Sequence, residues 1–235
     1  KDTSIKTTGL KAEAPSASGP VTLSWSKAAA DVTGYRVYRY DATEDKYVYL
    51  KSTKSRSYSD EDVRSGKTYQ YRVRCYWTIG GTNYYGNYSS VVSVTTPPAK
   101  VSSVNTAKKS STYLTLSWKK VSGASGYRVY KYNTKTKAYE KVTTIASGST
   151  TSYKVTGLAS ATEYQFKVRA YKKAEDGNVW GSSSVVYKES TNPSKTKNLK
   201  LSTKSSAVTL SWSKVARSSG YAVYRYDSKT KKYVR

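Results

Sequence analysis

The residue types that usually perform chemistry are scarce in this chain, and that scarcity is the first constraint on its function. No histidine occurs among the 235 residues, which removes the usual general base and the commonest metal ligand. The single cysteine, Cys75, alternates with Tyr71 and Val73. That is the pattern of a buried small hydrophobe, and no second cysteine exists to pair with it. A nucleophile needs a base beside it, and none is supplied. Acids cluster at Asp41, Glu44 and Asp45 and again at Asp60-Glu61-Asp62. The second cluster has the ligand type for Ca²⁺, but a later stretch of the same pattern reads Lys154-Val155-Thr156. A carboxylate pair working on a glycosidic bond needs a deeper cleft than a narrow sandwich provides. No catalytic residue, metal site or cofactor is expected, and the segment is read as non-enzymatic.

What remains is surface recognition. Arg36, Tyr38 and Tyr40 alternate along one segment, and Arg72, Arg74 and Tyr76 along another. On neighbouring strands they would form an outward face of alternating guanidinium and phenol, where cation–π contacts are worth about 0.5–1 kcal/mol at exposed sites. The theme returns in Arg128, Tyr130 and Tyr132 with Lys167, Arg169 and Tyr171. Hairpin aromatics add Trp77, with Tyr84 and Tyr85, in one place and Trp180 in another. Such a face either stabilises and solubilises an exposed sheet or offers a flat aromatic-basic platform to a glycan or another polyanion. The hairpin aromatics suit packing against an adjacent domain equally well.

Positioning these residues takes strands. Tyrosine occurs 25 times against a single Phe, with five Trp, a composition that favours β-structure. Few stretches carry the 3.6-residue period of an amphipathic helix. The dominant signal is repetition. Val21-Thr-Leu-Ser-Trp25, Leu114-Thr-Leu-Ser-Trp118 and Val208-Thr-Leu-Ser-Trp212 end on tryptophans spaced by 93 and 94 residues. Each is followed by a second phrase: Gly34-Tyr-Arg-Val-Tyr-Arg-Tyr40, Gly126-Tyr-Arg-Val-Tyr-Lys-Tyr132 and Gly220-Tyr-Ala-Val-Tyr-Arg-Tyr226. A third occurs twice, Tyr69-Gln-Tyr-Arg-Val-Arg-Cys-Tyr76 and Tyr164-Gln-Phe-Lys-Val-Arg-Ala-Tyr171. Period-two alternation puts Val21, Leu23 and Trp25 on one face, Tyr35 and Val37 on one face, and Tyr69, Tyr71, Val73 and Cys75 on one face. One apolar and one polar face per strand is what two packed sheets demand.

At these residues the chain resembles the fibronectin type III family, which places a Trp on its second strand and a Tyr-x-Val pattern on its third. The family also carries a tyrosine corner, matched here by Leu158 with Tyr164 and by Val63 with Tyr69. The resemblance implies an all-β fold of tandem immunoglobulin-like β-sandwiches, with domains at 1–96 and 97–191 and the N-terminal part of a third at 192–235. Its Tyr- and Lys-rich character is similar to modules of Gram-positive bacterial extracellular proteins, where such repeats separate functional domains. No Arg-Gly-Asp tripeptide is present, so integrin binding is not implied. Prolines in Thr95-Thr-Pro-Pro-Ala99 and Ser190-Thr-Asn-Pro-Ser194 are expected to end strands and stiffen short connectors, setting neighbours end to end.

The chain has no Met and opens on Lys1, so it is expected to be a segment of a longer polypeptide. The third repeat is expected to be interrupted after its first strands, with completion by another chain as the alternative. No apolar run reaches the roughly 18–20 residues of a membrane span. The charge of +26 climbs along the chain: 13 basic and 8 acidic groups over 3–96, 16 and 5 over 97–191, 11 and 1 over 192–235. Such a field attracts polyanions without selectivity. The basic residues are spread over several strands instead of one recognition element, so specific nucleic-acid readout is not expected. The reading is a structural spacer or adhesion segment of a secreted or cell-surface protein, its partners the flanking domains of its own polypeptide. The alternative is a module binding a cell-wall polymer or glycan.

Overall fold

The computed structural model describes residues 3–15 and 19–235; Lys1 and Asp2, counted in the charge above, lie outside them. Among the described residues the regular elements are all strands, as the alternation requires. Eight build the first sandwich: β1 (Lys11–Glu13), β2 (Val21–Ser24), β3 (Gly34–Asp41), β4 (Lys46–Thr53), β5 (Ser57–Asp60), β6 (Thr68–Ile79), β7 (Thr82–Tyr85) and β8 (Val92–Thr95). One sheet has the order β1-β2-β5. The other runs β4-β3-β6-β7, with β8 also pairing β6. The second sandwich repeats this plan with β9 (Asn105–Lys109), β10 (Leu114–Ser117), β11 (Gly126–Asn133), β12 (Ala138–Ile145), β13 (Ser152–Val155), β14 (Glu163–Ala174), β15 (Gly177–Ser183) and β16 (Tyr187–Ser190). Its sheets are β13-β10-β9 and β12-β11-β14-β15, with β16 beside β14.

The inward residues are those the period assigned. Val21, Leu23, Trp25, Tyr35, Val37, Tyr71, Val73 and Cys75 share the first core. Leu114, Leu116, Trp118, Tyr127, Val129, Phe166, Val168 and Ala170 occupy the same places in the second. In each core the tryptophan meets a tyrosine edge-on, Trp25 with Tyr35 at 5.5 Å and Trp118 with Tyr127 at 5.4 Å. The buried Tyr hydroxyls do not go unpaired: Ala28 N donates to Tyr35 Oη at 3.0 Å and Val121 N to Tyr127 Oη at 2.9 Å. Both tyrosine corners close as well, with Arg64 N donating to Tyr69 Oη and Ala159 N to Tyr164 Oη, each at 2.8 Å. A buried phenol thus contributes apolar area while its one polar atom is satisfied.

Residues 192–235 carry β17 (Lys200–Lys204), β18 (Ala207–Ser211), β19 (Arg225–Asp227) and β20 (Lys232–Val234), paired as two separate hairpins. Here the structure departs from the phrase. The Gly220–Tyr224 stretch, matching the first half of β3 and β11, forms no strand. In the complete sandwiches that half is paired to β6 or β14, and no described strand takes that place for the third repeat. Leu199, Leu201 and Val208 are correspondingly 62–66% exposed. The local signature survives even so: Trp212 lies 5.1 Å from Tyr221, whose Oη accepts from Val215 N at 2.7 Å.

Candidate functional site

The antiparallel register of β3 on β6 sets Arg36 opposite Arg74 and Tyr38 opposite Arg72. Like charges placed directly across a sheet repel, so something must separate them. The rings of Tyr47 and Tyr49 from β4, Tyr85 from β7 and Tyr88 from the segment after it do so. Arg72 lies 4.2 Å from the Tyr47 ring centroid and 3.7 Å from that of Tyr88. Arg74 lies 4.7 Å from Tyr88 and 4.0 Å from Tyr85, and Arg36 lies 4.7 Å from Tyr85 and 5.3 Å from Tyr49. The result is a ladder, Tyr47–Arg72–Tyr88–Arg74–Tyr85–Arg36–Tyr49, in which each guanidinium is sandwiched between phenols. Arg74 also donates to Tyr38 Oη from Nε at 3.1 Å and Nη2 at 2.8 Å. Burial, then the neighbouring Tyr38, push the Tyr88 phenol above its ordinary value.

Several candidate residues lie elsewhere than on an accessible platform. Trp77 is 3% exposed, and its Nε1 donates to Asp31 O at 2.7 Å inside the first core. Its parity with Tyr71, Val73 and Cys75 is the signal that could have placed it there. Tyr38 and Tyr171 point outward in register but are 7% and 6% exposed, the first covered by Tyr49 and Tyr88 and the second by Trp180 at 4.9 Å. These three offer no ligand surface. The second sandwich brings its candidates together more sparsely: Arg128 lies 4.1 Å and Arg169 5.5 Å from Trp180, and Lys167 lies 4.2 Å from Tyr139. Tyr40, Tyr76, Tyr130 and Tyr132 remain half-buried.

The ladder's missing members were partly legible. Tyr47 and Tyr49 alternate along β4, whereas Tyr88 lies outside any strand and has no periodic signal. Sequence reasoning also missed a cross-strand tyrosine pair present in all three repeats: Tyr40 with Tyr47 at 5.4 Å, Tyr132 with Tyr139 at 5.2 Å and Tyr226 with Tyr233 at 5.4 Å. The turns beneath them share one construction. Asp41 Oδ1 accepts from Thr43 N, Asn133 Oδ1 from Lys135 N and Asp227 Oδ1 from Lys229 N. Asp45, Lys137 and Lys231 take positive φ. Beside the first two pairs, Gln70 and Gln165 accept from Tyr47 and Tyr139, and shallow grooves of about 530 Å³ open.

The acidic cluster is spoken for. Asp60, 2% exposed, lies between the sheets, where its Oδ2 accepts from Arg39 Nη1 and from Tyr71 Oη, each at 2.8 Å. Arg39 Nη1 also donates to Asp62 O at 2.8 Å. Burial opposes the Arg39 charge, but the Asp60 carboxylate outweighs it and the guanidinium pKa ends above its ordinary value. Burial and then Asp60 likewise raise the Tyr71 phenol. The second sandwich has Lys131, Val155 and Phe166 at these positions and uses no such tie. Among the described residues no three His, Cys, Asp or Glu side chains gather as metal ligands. Cys75 is buried and its thiol is pushed up by that burial, the opposite of an activated nucleophile. No helix among them is long and apolar enough to cross a membrane.

Comparison with known proteins agrees with this geometry. Residues 97–186 match the model of the fibronectin type III domain. Exoglucanase B of Cellulomonas fimi is 29% identical over 198 residues, which cover 79% of this chain but 17% of that protein. A two-domain fibronectin type III segment of chicken tenascin superposes with a TM-score of 0.52 at 16% identity, over 79% of this chain and 99% of the other. At that identity the likeness is one of fold, and it extends the matched domain's architecture to its neighbour. Residues 97–186 thus form a fibronectin type III domain, and the segment before them, with the same two sheets and the same tyrosine corner, shares its fold, so the two stand as tandem β-sandwiches of that type.

Proposed function

We propose that this chain is a non-enzymatic spacer of a secreted or cell-surface protein of a Gram-positive bacterium. It holds flanking domains of its own polypeptide apart on a semi-rigid rod divided at 1–96, 97–191 and 192–235. The observation that carries this reading is the ladder: Arg36, Arg72 and Arg74 are each stacked between tyrosines of their own sandwich, so the cations expected to recognise a ligand are spent on holding the sheet. Support comes also from the Cellulomonas fimi relative, where the matched stretch is a minor fraction of a much longer protein. The absence of a base beside Cys75 speaks against catalysis in this segment.

A second reading, binding of a glycan or anionic wall polymer, is favoured by one observation, the half-exposed tyrosine pair copied onto the same hairpin of each repeat. The name of the exoglucanase relative gives it modest support. Pull-down of the chain on peptidoglycan, teichoic-acid-bearing walls and neutral polysaccharides, at low and high salt, separates the two. The spacer reading expects no retention, or retention on anionic material that disappears at high salt. Retention that survives high salt and is lost on Tyr132→Ala together with Tyr40→Ala would replace it with the binding reading.

A further inference from the structure

The two sandwiches meet through backbone. In the loop between β5 and β6, Gly66 is buried and takes φ +68°; in the loop between β10 and β11 of the next sandwich, Gly123 takes φ +73°. A Cβ built on Gly123 would lie 2.6 Å from Gly66 O, and one on Gly66 would lie 3.1 Å from both Cα and C of Gly123. A contact under 3.0 Å to backbone oxygen cannot be relieved by a rotamer change, so the approach requires that Gly123 have no side chain, while a side chain at Gly66 would need its neighbour to give by a few tenths of an ångström.

The loop carrying Gly66 is itself fastened to the exit of the sandwich. Thr96, 3% exposed, accepts at Oγ1 from Lys67 N at 3.0 Å and donates to Arg64 O at 2.7 Å. Gly66 N is shared between Thr96 O at 3.2 Å and Pro97 O at 3.1 Å. The second sandwich repeats this fastening: Thr191, also 3% exposed, accepts from Thr162 N at 3.1 Å, and Ala161 N donates to Asn192 O at 3.1 Å. Ala161, in the place of Gly66, has φ +46°, and Arg217, in the place of Gly123, has φ +58°. There the following repeat is met through a side chain, Arg217 Nη1 donating to Thr162 Oγ1.

We infer that the loop between β5 and β6, clamped to the exit strand by Thr96, is a head-to-tail docking surface whose partner is the loop between β10 and β11 of the following sandwich. The glycine pair Gly66–Gly123 fixes the angle of the first joint. The second joint uses the same loops with a hydrogen-bonded arginine in place of the second glycine, so the residue at the Gly123 position sets how tightly successive repeats are held. The inference deepens the spacer reading and rests on it only for biological purpose; the contact itself is a property of the joint.

The experiment is residual dipolar couplings on the full chain, comparing alignment tensors of the first and second sandwiches in the unmodified protein, in Gly123→Ala and in Gly80→Ala. Gly80 takes φ +56° with nothing within 4 Å of its built Cβ, so it reproduces the left-handed strain without the clash, and Arg217 shows that a side chain is compatible with this backbone. One shared tensor is expected in the unmodified chain and in Gly80→Ala, with tensor magnitudes diverging at least twofold in Gly123→Ala while both sandwiches keep their amide spectra. Separate tensors in the unmodified chain would overturn the inference, as would a shared tensor that persists in Gly123→Ala. In that last case an elongated scattering profile would leave the spacer reading standing while the joint failed.

Discussion

Replacing Asp60 by valine removes the one buried carboxylate among the described residues of the first sandwich. The change strands two partners: the Arg39 side chain, 19% exposed, and the Tyr71 hydroxyl, fully buried. Breaking a buried pair by removing one member costs about 3–5 kcal/mol, and an orphaned buried hydroxyl about 1–3 kcal/mol. Arg39 keeps Asp62 O at 2.8 Å, so the bottom of the combined range applies, about 4 kcal/mol for Asp60→Val alone. The second sandwich shows the compensated solution, Lys131, Val155 and Phe166 at the same three positions. Its phenyl needs no partner, and its Lys131 ammonium lies 5.7 Å from the Tyr164 ring, much as the Arg39 guanidinium lies 5.5 Å from Tyr69. The triple variant Arg39→Lys, Asp60→Val, Tyr71→Phe should therefore recover to within about 1 kcal/mol of the unmodified chain, since a well-packed apolar replacement of a buried ion pair is often neutral or stabilising. Native-state hydrogen exchange of β3 and β6 amides under increasing urea reads the first sandwich separately from the second. If the single variant costs under about 1 kcal/mol, or the triple costs as much as the single, the tie is not what joins these sheets.

Alkaline stability tests the same site with the opposite sign. The Tyr71 phenol is raised above its ordinary 10.0 by burial and by Asp60. Its contribution is intact below pH 10. Above that the unfolded chain releases a proton the folded chain retains, so stability falls by up to about 1.4 kcal/mol per pH unit until the folded phenol ionises; urea midpoints from pH 9 to 11.5 should show a shallower decline in Tyr71→Phe. Tyr88→Ala removes the ring between Arg72 and Arg74 and the edge contact with Tyr38 at 5.3 Å. It should cost the first sandwich about 2 kcal/mol, measured by the same exchange experiment, and a loss under 0.5 kcal/mol would reduce the ladder to coincidence. Thr96→Val keeps shape but deletes the hydroxyl that serves Lys67 N and Arg64 O; a loss of about 1–2 kcal/mol with selective deprotection of the Lys67 amide is expected. Cys75 should react with a maleimide only on unfolding, so labelling faster than β6 exchange would contradict its burial.

How much of this was readable without coordinates depended on whether a residue's role was local. The inward faces of β2, β3 and β6 follow from period two, because a strand's alternation fixes its faces whatever it pairs with. The tyrosine corners follow from a six-residue interval. The ladder does not. It depends on which residues the register of β3 on β6 sets opposite each other and on Tyr88, whose segment has no period. Asp60 was the largest misdirection: in sequence it belongs to an exposed-looking acidic run, yet its alternation with Tyr58 was the one local hint that it faces inward. The joint was invisible for another reason. Gly66 and Gly123 are unremarkable turn glycines until the two sandwiches are brought together, and nothing local marks Thr96 and Thr191 as the buried residues that fasten the loops.

The charge, too, divides by how each cation is held. In the first sandwich the arginines of the sheet face are fixed between rings at 3.7–5.3 Å, where rearranging toward a ligand would mean giving up stacking on both sides. Over 97–235 the excess is mostly lysine, part of it exposed in hairpin turns: Lys135 and Lys137 in one turn, Lys229 and Lys231 in another. A solvated ammonium on a flexible stem attracts any anion and selects none. Its attraction fades beyond about 8 Å at physiological ionic strength. The two populations therefore separate under salt: diffuse adhesion to an anionic surface should vanish while the stability contributed by the ladder stays. A rise in net charge toward the C-terminus thus marks where loose counter-ions gather along the chain, and the ladder of ordered arginines lies toward the other end.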